Sequence, residues 1–330
     1  MCRIRNAHRL YWLQEKMKVS IIIPAYNCEK YISDSIRSAL EQSWDNTEII
    51  VINDGSTDNT LQIAEQLATA NEKIKIYSQE NAGACKARNF ALTKCDGDYV
   101  QFLDGDDLMA PNKIESQLKI LEGRKDSIIG CRWIRFNRET DNNIGGVGPH
   151  FSIMKDMAPV EWLNARYMMA LHAWLIPTEL IKLSGGWDES IVCNQDGEFI
   201  FRVAAISKEI LFDNNTIVFY RVPSDNSSVS TLNSDRKFRS LYQVAVTYKK
   251  VLNQIAANTL ETKIAIGNYF KDLAYNYYFP RFPELFELCK QQEEFSYGTI
   301  KPHLTGLTKM IAVVTGWRFA KRLQYYFRAS

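Results

Sequence analysis

Val19 to Ala25 (VSIIIPA) reads as a continuous apolar run, broken only by Ser20. A strand with one wet face alternates polar and apolar residues, whereas a continuous run marks a strand covered on both faces, as in a parallel sheet. The spacing then turns helical: Tyr31, Ile32, Ile36, Ala39 and Leu40 fall on one stripe between Glu29 and Gln42. The alternation repeats. Glu48–Ile52, Lys73–Tyr77 and Tyr99–Leu103 read as strands, with helical spacing after Thr60 and from Ala84 to Thr93. Four strands interleaved with helices predict an α/β fold, a Rossmann-like, mostly parallel sheet flanked by helices.

The fourth strand ends abruptly in three carboxylates, Asp104, Asp106 and Asp107. Clustered acids repel one another, and a hard divalent cation relieves that repulsion. Mg²⁺ or Mn²⁺ held by one or two carboxylates commonly also binds substrate phosphates. Pro111 suits the first turn of a following helix, so the acids fall on a strand-to-helix loop. In open α/β sheets the ligand crevice lies beyond the carboxyl ends of the strands. A plain polar turn is the alternative reading of DGDD. Two further loops fall on the same sheet edge. After the first strand comes Pro24-Ala25-Tyr26-Asn27, where Tyr26 can stack on a base or pack in a cleft. After the second comes Asn53-Asp54-Gly55-Ser56-Thr57-Asp58, whose acids can accept from a base or ribose or cap a helix. Together the three loops describe a pocket for a nucleotide diphosphate and a metal.

Other classes are excluded by what is missing. No GxGxxG follows any of these strands and no P-loop occurs, which argues against NAD, FAD and Walker-type nucleotide sites. A formal charge of +2 gives no general reason to expect nucleic acid. Seven scattered cysteines without metal-ligand spacing point to free thiols and a cytoplasmic location. No apolar run reaches the roughly 20 residues of a membrane span, and no signal peptide is evident.

Farther along, Ser127–Phe136 reads as a strand and Asn137–Pro149 as a polar loop. Trp162–Ile176 is rich in Trp, Met and His, Gly185-Gly186 breaks the chain, Asp196–Ala205 reads as a helix and Thr216–Val222 as a strand. The polar stretch Asp225–Ser234 marks the domain boundary, and the remainder is helical and aromatic.

The motifs VSIIIPAYN (19–27), IIVINDGSTDNT (49–60), ENAGACKARN (80–89), YVQFLDGDDLMAP (99–111), GGWDE (185–189) and QDGEFIFRVA (195–204) resemble those of the family 2 glycosyltransferases. The resemblance covers most of residues 18–222 and implies the GT-A fold. It divides the chain into an N-terminal extension (1–16), a catalytic domain (17–230, with a nucleotide-sugar half at 17–111 and an acceptor half at 112–230) and a helical C-terminal region (231–330). It implies a metal-dependent, inverting transfer of a sugar from a nucleotide diphosphate donor, typically a UDP-sugar, to an acceptor hydroxyl in surface polysaccharide or glycolipid synthesis. Pro24, Tyr26 and Asn27 would line the nucleotide site. Asp54 would bind the base, and Asn81, Gly83 and Arg88 would close the pocket, with Arg88 facing a phosphate or orienting Asp54. Asp104 and Asp106 match the DxD signature, Asp106 as the ligand of Mn²⁺ or Mg²⁺ and Asp104 near the ribose or in the metal's shell. Asp107 would cap the next helix. Asp196 matches the general base, with Glu198 as a fallback.

The sequence departs from the family pattern at Gln195, where many relatives carry an acid, and at Asn53, where many carry Asp. His172 reads as a structural histidine, Trp174 as core and Trp187 as the acceptor floor. Two rivals remain at this level, a HAD-type phosphatase and a non-catalytic sugar-nucleotide-binding protein. The first would need its DxD after the first strand. The C-terminus, from Gly306 to Arg328, mixes apolar residues with WRFAKRLQYYFR, and no acid follows Glu294. Such a segment fits an anionic membrane surface on the cytoplasmic face, or packing against the catalytic domain or a partner copy.

Overall fold

In the computed structural model, the structure describes residues 17–137, 142–145, 156–159, 161, 169–222, 234–255 and 259–329. The N-terminal extension (1–16), Trp162 and residues 225–233 of the expected boundary lie outside them. The chain divides into two compact units, Met1–Glu189 with Gln195–Ser228, and Ser190–Asn194 with Val229–Ser330.

The first unit opens with β1 (Val19–Ala25), α1 (Ile32–Leu40), β2 (Thr47–Asp54), α2 (Thr60–Ala70), β3 (Ile74–Gln79), α3 (Ala84–Leu92) and β4 (Tyr99–Phe102). There follow β5 (Leu108–Met109), α4 (Lys113–Leu121), β6 (Ile128–Asn137), β7 (Asn142–Gly145), β8 (Ile176–Pro177), α5 (Thr178–Leu183), α6 (Gln195–Ile206) and β9 (Ile210–Arg221). The main sheet runs β3-β2-β1-β4-β8, parallel throughout except for β8. β1 is central, and its isoleucines Ile21, Ile22 and Ile23 are all buried, as the apolar run requires. Strand order reverses between β1 and β4, so the tips of these two strands flank the switch point where α/β sheets bind ligands.

A second sheet, β5-β9-β6-β7, stands beside the DxD segment. β5 lies immediately after the three acids and pairs with the end of β9, Leu108 opposite Phe219 and Met109 opposite Val218. This pairing ties the turn 104–107 to both sheets. Two sequence expectations change here. The loop expected at 137–149 contains β7, and β9 begins six residues earlier than the apolar pattern indicated. Asp213-Asn214-Asn215 obscures the earlier part of β9: Asp213 accepts a hydrogen bond from Asn215 N, and the register with β6 shifts between Cys131 and Arg132. Pro111 falls just before α4 and not inside it.

The second unit is helical: α7 (Asp235–Ile255), α8 (Leu260–Asp272), α9 (Pro283–Lys290), α10 (Leu307–Thr315) and α11 (Trp317–Ala329). Thr259 caps α8 by accepting from Thr262 N, and Pro283 occupies the first turn of α9. The segment 190–194 belongs to this unit, where Val192 N and Cys193 N donate to Ser240 Oγ. Tyr275, Phe279 and Phe286 surround Trp317 and anchor the start of α11. Among the described residues no helix is long and apolar enough to cross a membrane.

Candidate active site

The loops after β1 and β2 are stitched together. Asn27, at a positive φ of 47°, accepts from Thr57 N at 2.8 Å, while its own N donates to Ser56 Oγ. Asp58 accepts from Glu29 N and Thr60 N, and the Glu29 carboxylate accepts from Asn59 N. Pro24 sits in β1 opposite Ile52, and Tyr26 stands exposed at the rim.

Asp54 is buried at the end of β2. Its Oδ1 accepts from Gln79 Nε2 at 2.7 Å and Ala82 N at 2.9 Å, and its Oδ2 accepts from Gly83 N at 2.9 Å. Asn81 donates to the Asp54 carbonyl. Gly83 reaches this position at φ 90°, a conformation that disfavours any side chain, and from there α3 begins. Asp54 therefore fixes the shape of the loop between β3 and α3.

Arg88, one turn into α3, points elsewhere. Its Nη2 meets Asp104 Oδ1 at 2.6 Å and its Nη1 meets Asp196 Oδ1 at 3.4 Å. The guanidinium lies over the Trp187 ring, 4.4 Å from its centre. Burial opposes its charge, but Asp104 and Asp196 outweigh that cost and raise its pKa. The expectation that Arg88 orients Asp54 is corrected: Arg88 bridges the DxD turn and the start of α6, and Asp54 takes its partners from residues 79–83. Nε of Arg88 has no hydrogen-bond partner.

Trp187 is buried, stacked on Phe199 at 4.1 Å with Phe102 edge-on, and backs Arg88 from beneath. Asn89 holds this segment through reciprocal bonds with Trp187 N and O. Trp174 is core, as expected.

At the tip of β4 the three acids separate by environment. Asp104 keeps 31% of its side chain exposed beside Arg88. Burial, and then the charge of Asp104, push Asp106 up to about 6, with Arg221 pulling the other way. Asp107 is enclosed, and burial followed by the charges of Asp106 and Asp104 raises its pKa well above the ordinary value. Asp107 does not cap a helix. It accepts from Arg221 N at 2.7 Å and faces His172 Nδ1 at 3.1 Å. Burial lowers His172 to about 4, so this imidazole is neutral and structural.

Asp196, in the first turn of α6, is half-buried, with 43% of its side chain exposed. Desolvation of its covered part pushes its pKa up to about 6; Arg88 opposes the rise and Asp104 adds to it. Glu198 is not available as a substitute base, because Arg202 grips both of its oxygens at 2.7 and 2.8 Å.

Two buried cations escaped the sequence reading. Arg221 donates through Nε to the Asp106 carbonyl at 2.6 Å and lies over Tyr31 and Phe136. Lys113 is fully buried, hydrogen-bonded to Gln101 and to the Trp174 carbonyl, and burial lowers it to about 7. Neither lies in a recognisable motif. Arg221 is 115 residues from the carbonyl it holds, and only the pairing of β5 with β9 brings them together.

Among the described residues no group of three or more His, Cys, Asp or Glu side chains stands ready as a complete metal cage. Asp104 and Asp106 form a two-carboxylate set, which suits a hard cation whose remaining ligands come from water and a diphosphate. The raised pKa of Asp106 marks a carboxylate whose charge wants a counter-ion.

The model of Glycosyl transferase family 2 matches residues 20–178. An uncharacterized glycosyltransferase of Rickettsia typhi is 31% identical over 263 residues, 78% of this chain and 81% of that protein. Chondroitin synthase of Pasteurella multocida is 33% identical over 225 residues, 66% of this chain but 22% of the larger enzyme. In fold the chain is similar to S. aureus TarS 1–349, with a TM-score of 0.68 at 17% identity over 95% of this chain and 92% of that one. The same protein in complex with UDP gives 0.63 at 20% identity over 78% and 71%. These relationships remove the phosphatase and non-catalytic alternatives, and the chain belongs to glycosyl transferase family 2, a glycosyltransferase of the GT-A fold.

Proposed function

We propose that this enzyme transfers a sugar from a nucleotide diphosphate donor, with uridine as the base, to a hydroxyl of a growing glycan or glycolipid, in one displacement that inverts the anomeric carbon. The observation that carries the reading is Arg88, whose guanidinium touches the DxD acid Asp104 and the helix-start acid Asp196 at once. One cation thereby holds together the residues assigned to the donor diphosphate and to the acceptor. The UDP complex of TarS and the polysaccharide synthase among the relatives support the donor and acceptor classes.

In this reading Pro24, Tyr26 and Asn27 line the base and ribose, and Asp54 receives the base edge with the lone pairs its loop leaves open. Asn81 and Gly83 close that wall. Asp106, with Asp104, would hold Mn²⁺ or Mg²⁺, and that cation would supply charge neutralisation for the departing diphosphate. Asp196 takes the proton from the acceptor hydroxyl as it attacks. A hydroxyl is a weak nucleophile until a base removes its proton, and a carboxylate raised to about 6 is a stronger base than an ordinary one while still ionised at neutral pH. Arg88 keeps Asp196 oriented without a tight bond, at 3.4 Å.

The test is a screen of nucleotide sugars for Mn²⁺-dependent thermal stabilisation, followed by NMR of the anomeric configuration of the product. A stabilising UDP-sugar and an inverted product are expected. Retention of configuration would refute the single displacement.

A further inference from the structure

In the second unit, α10 carries Leu307, Met310, Ile311 and Val314 on one stripe at i, i+3, i+4 and i+7, with Val313 beside it. No residue of this helix is buried, and Val313 and Val314 are 86% and 89% exposed. The helix is flanked by Gly306 and Gly316, both at positive φ. On α11, Phe319, Arg322 and Tyr326 recur along the outer face, and Phe327 is exposed as well, while Ala320 and Gln324 face inward. The two helices contact each other, and Trp317 fixes the second into the aromatic cluster of its unit. The exposed apolar residues therefore lie on a supported surface.

By sequence these two helices hold no acid and carry Lys309, Arg318, Lys321, Arg322 and Arg328, and no acid follows Glu294. Lys321 is held by the His303 carbonyl, but no salt bridge among the described residues involves Lys301, Lys309, Arg318 or Arg322. Three occupants compete for such a face. A second copy of the chain would bring the same cations against themselves, since a two-fold contact uses the same patch twice. Nucleic acid would satisfy the cations but leave the aliphatic stripe of α10 in water. An anionic bilayer satisfies both, taking the apolar stripe and aromatic rings into the headgroup–acyl boundary and the cations onto its phosphates.

We infer that α10 and α11 form an interfacial surface by which the enzyme lies on an anionic phospholipid membrane. At nine residues α10 spans roughly 14 Å, too short to cross a bilayer and suited to lying in its plane. This surface shares no residue with the transfer site, so its test is independent of the proposed chemistry.

The experiment is co-sedimentation of the full chain with vesicles of phosphatidylcholine alone or with phosphatidylglycerol. Binding to the anionic vesicles at least 10-fold stronger than to the neutral ones, and weakened by salt, is expected. The double variants Val313→Asp/Val314→Asp and Lys309→Glu/Arg318→Glu should each lose 10-fold or more, with far-UV circular dichroism and melting temperature near wild type, because these side chains are exposed. Failure to bind anionic vesicles, or equal binding by the folded variants, would overturn the inference. So would a dimer in light scattering that Val313→Asp/Val314→Asp dissolves, which would give the face to a second copy.

Discussion

At the end of β2, Asp54 has three donors from its own chain on its two oxygens, Gln79 Nε2, Ala82 N and Gly83 N. At the end of β4, Asp106 sits beside Asp104 with backbone for company and its pKa pushed up to about 6. Both are aspartates at strand tips on the same edge of the same sheet. The first is finished by the fold and gives the loop its shape. The second is left under electrostatic load, which a proton or a cation would relieve. On the proposed reading, shaping of the base pocket and binding of a cation would fall to different strands.

The sharpest break between the two regions lies in chemistry. Asp196→Asn should lower the transfer rate about 10²–10⁴-fold, the range for loss of a positioned base, while donor binding by thermal shift stays near wild type. Wild-type turnover would remove Asp196 from its role.

Next come two neutralising substitutions with opposite signs. Asp54→Asn places an NH₂ group against backbone or side-chain donors, and should destabilise the protein by about 1–3 kcal/mol in urea unfolding. Asp106→Asn removes a crowded charge, and in metal-free buffer at pH 7.5 should raise the melting temperature by about 2–4 °C, corresponding to roughly 1 kcal/mol. It should also abolish stabilisation by Mn²⁺ with a nucleotide diphosphate. Equal signs for the two variants would show that the strand tips are not divided as described.

The smallest effect is a pH slope. Asp106 and Asp196 rise from the ordinary 3.8 to about 6 on folding. The folded state binds protons more tightly than the unfolded one, so their contribution favours folding at pH 4 and is lost as pH climbs through 6. Metal-free melting temperature should therefore fall across pH 4.5–7 relative to the Asp106→Asn variant. Protons compete with cations for the same carboxylate, so apparent Mn²⁺ affinity should fall below pH 6.

Much of this was legible from the chain because it rests on local patterns. The continuous run 19–25, the stripe on α1 and the acids after Phe102 each report their surroundings through spacing alone. The partners of those residues were less legible. Arg88 sits in a recognisable motif, yet its contacts with Asp104 and Asp196 depend on how α3 and α6 meet the sheet. Asp107 looks like a cap until β5 pairs with β9 and brings Arg221 N to it. Glu198 looks like a spare base until the helix places Arg202 four residues on. Side-chain pairings over long sequence distances carry no periodic signature.

The grip of Asp54 on Ala82 and Gly83 bears on how such enzymes can be re-engineered. The loops after β2 and β3 behave as one cassette, and so a graft that imports residues 53–58 from a relative while leaving 79–84 behind would separate a carboxylate from the amides shaped to receive it. On the proposed role of Asp54, changing the recognised base by recombination calls for both segments to travel together.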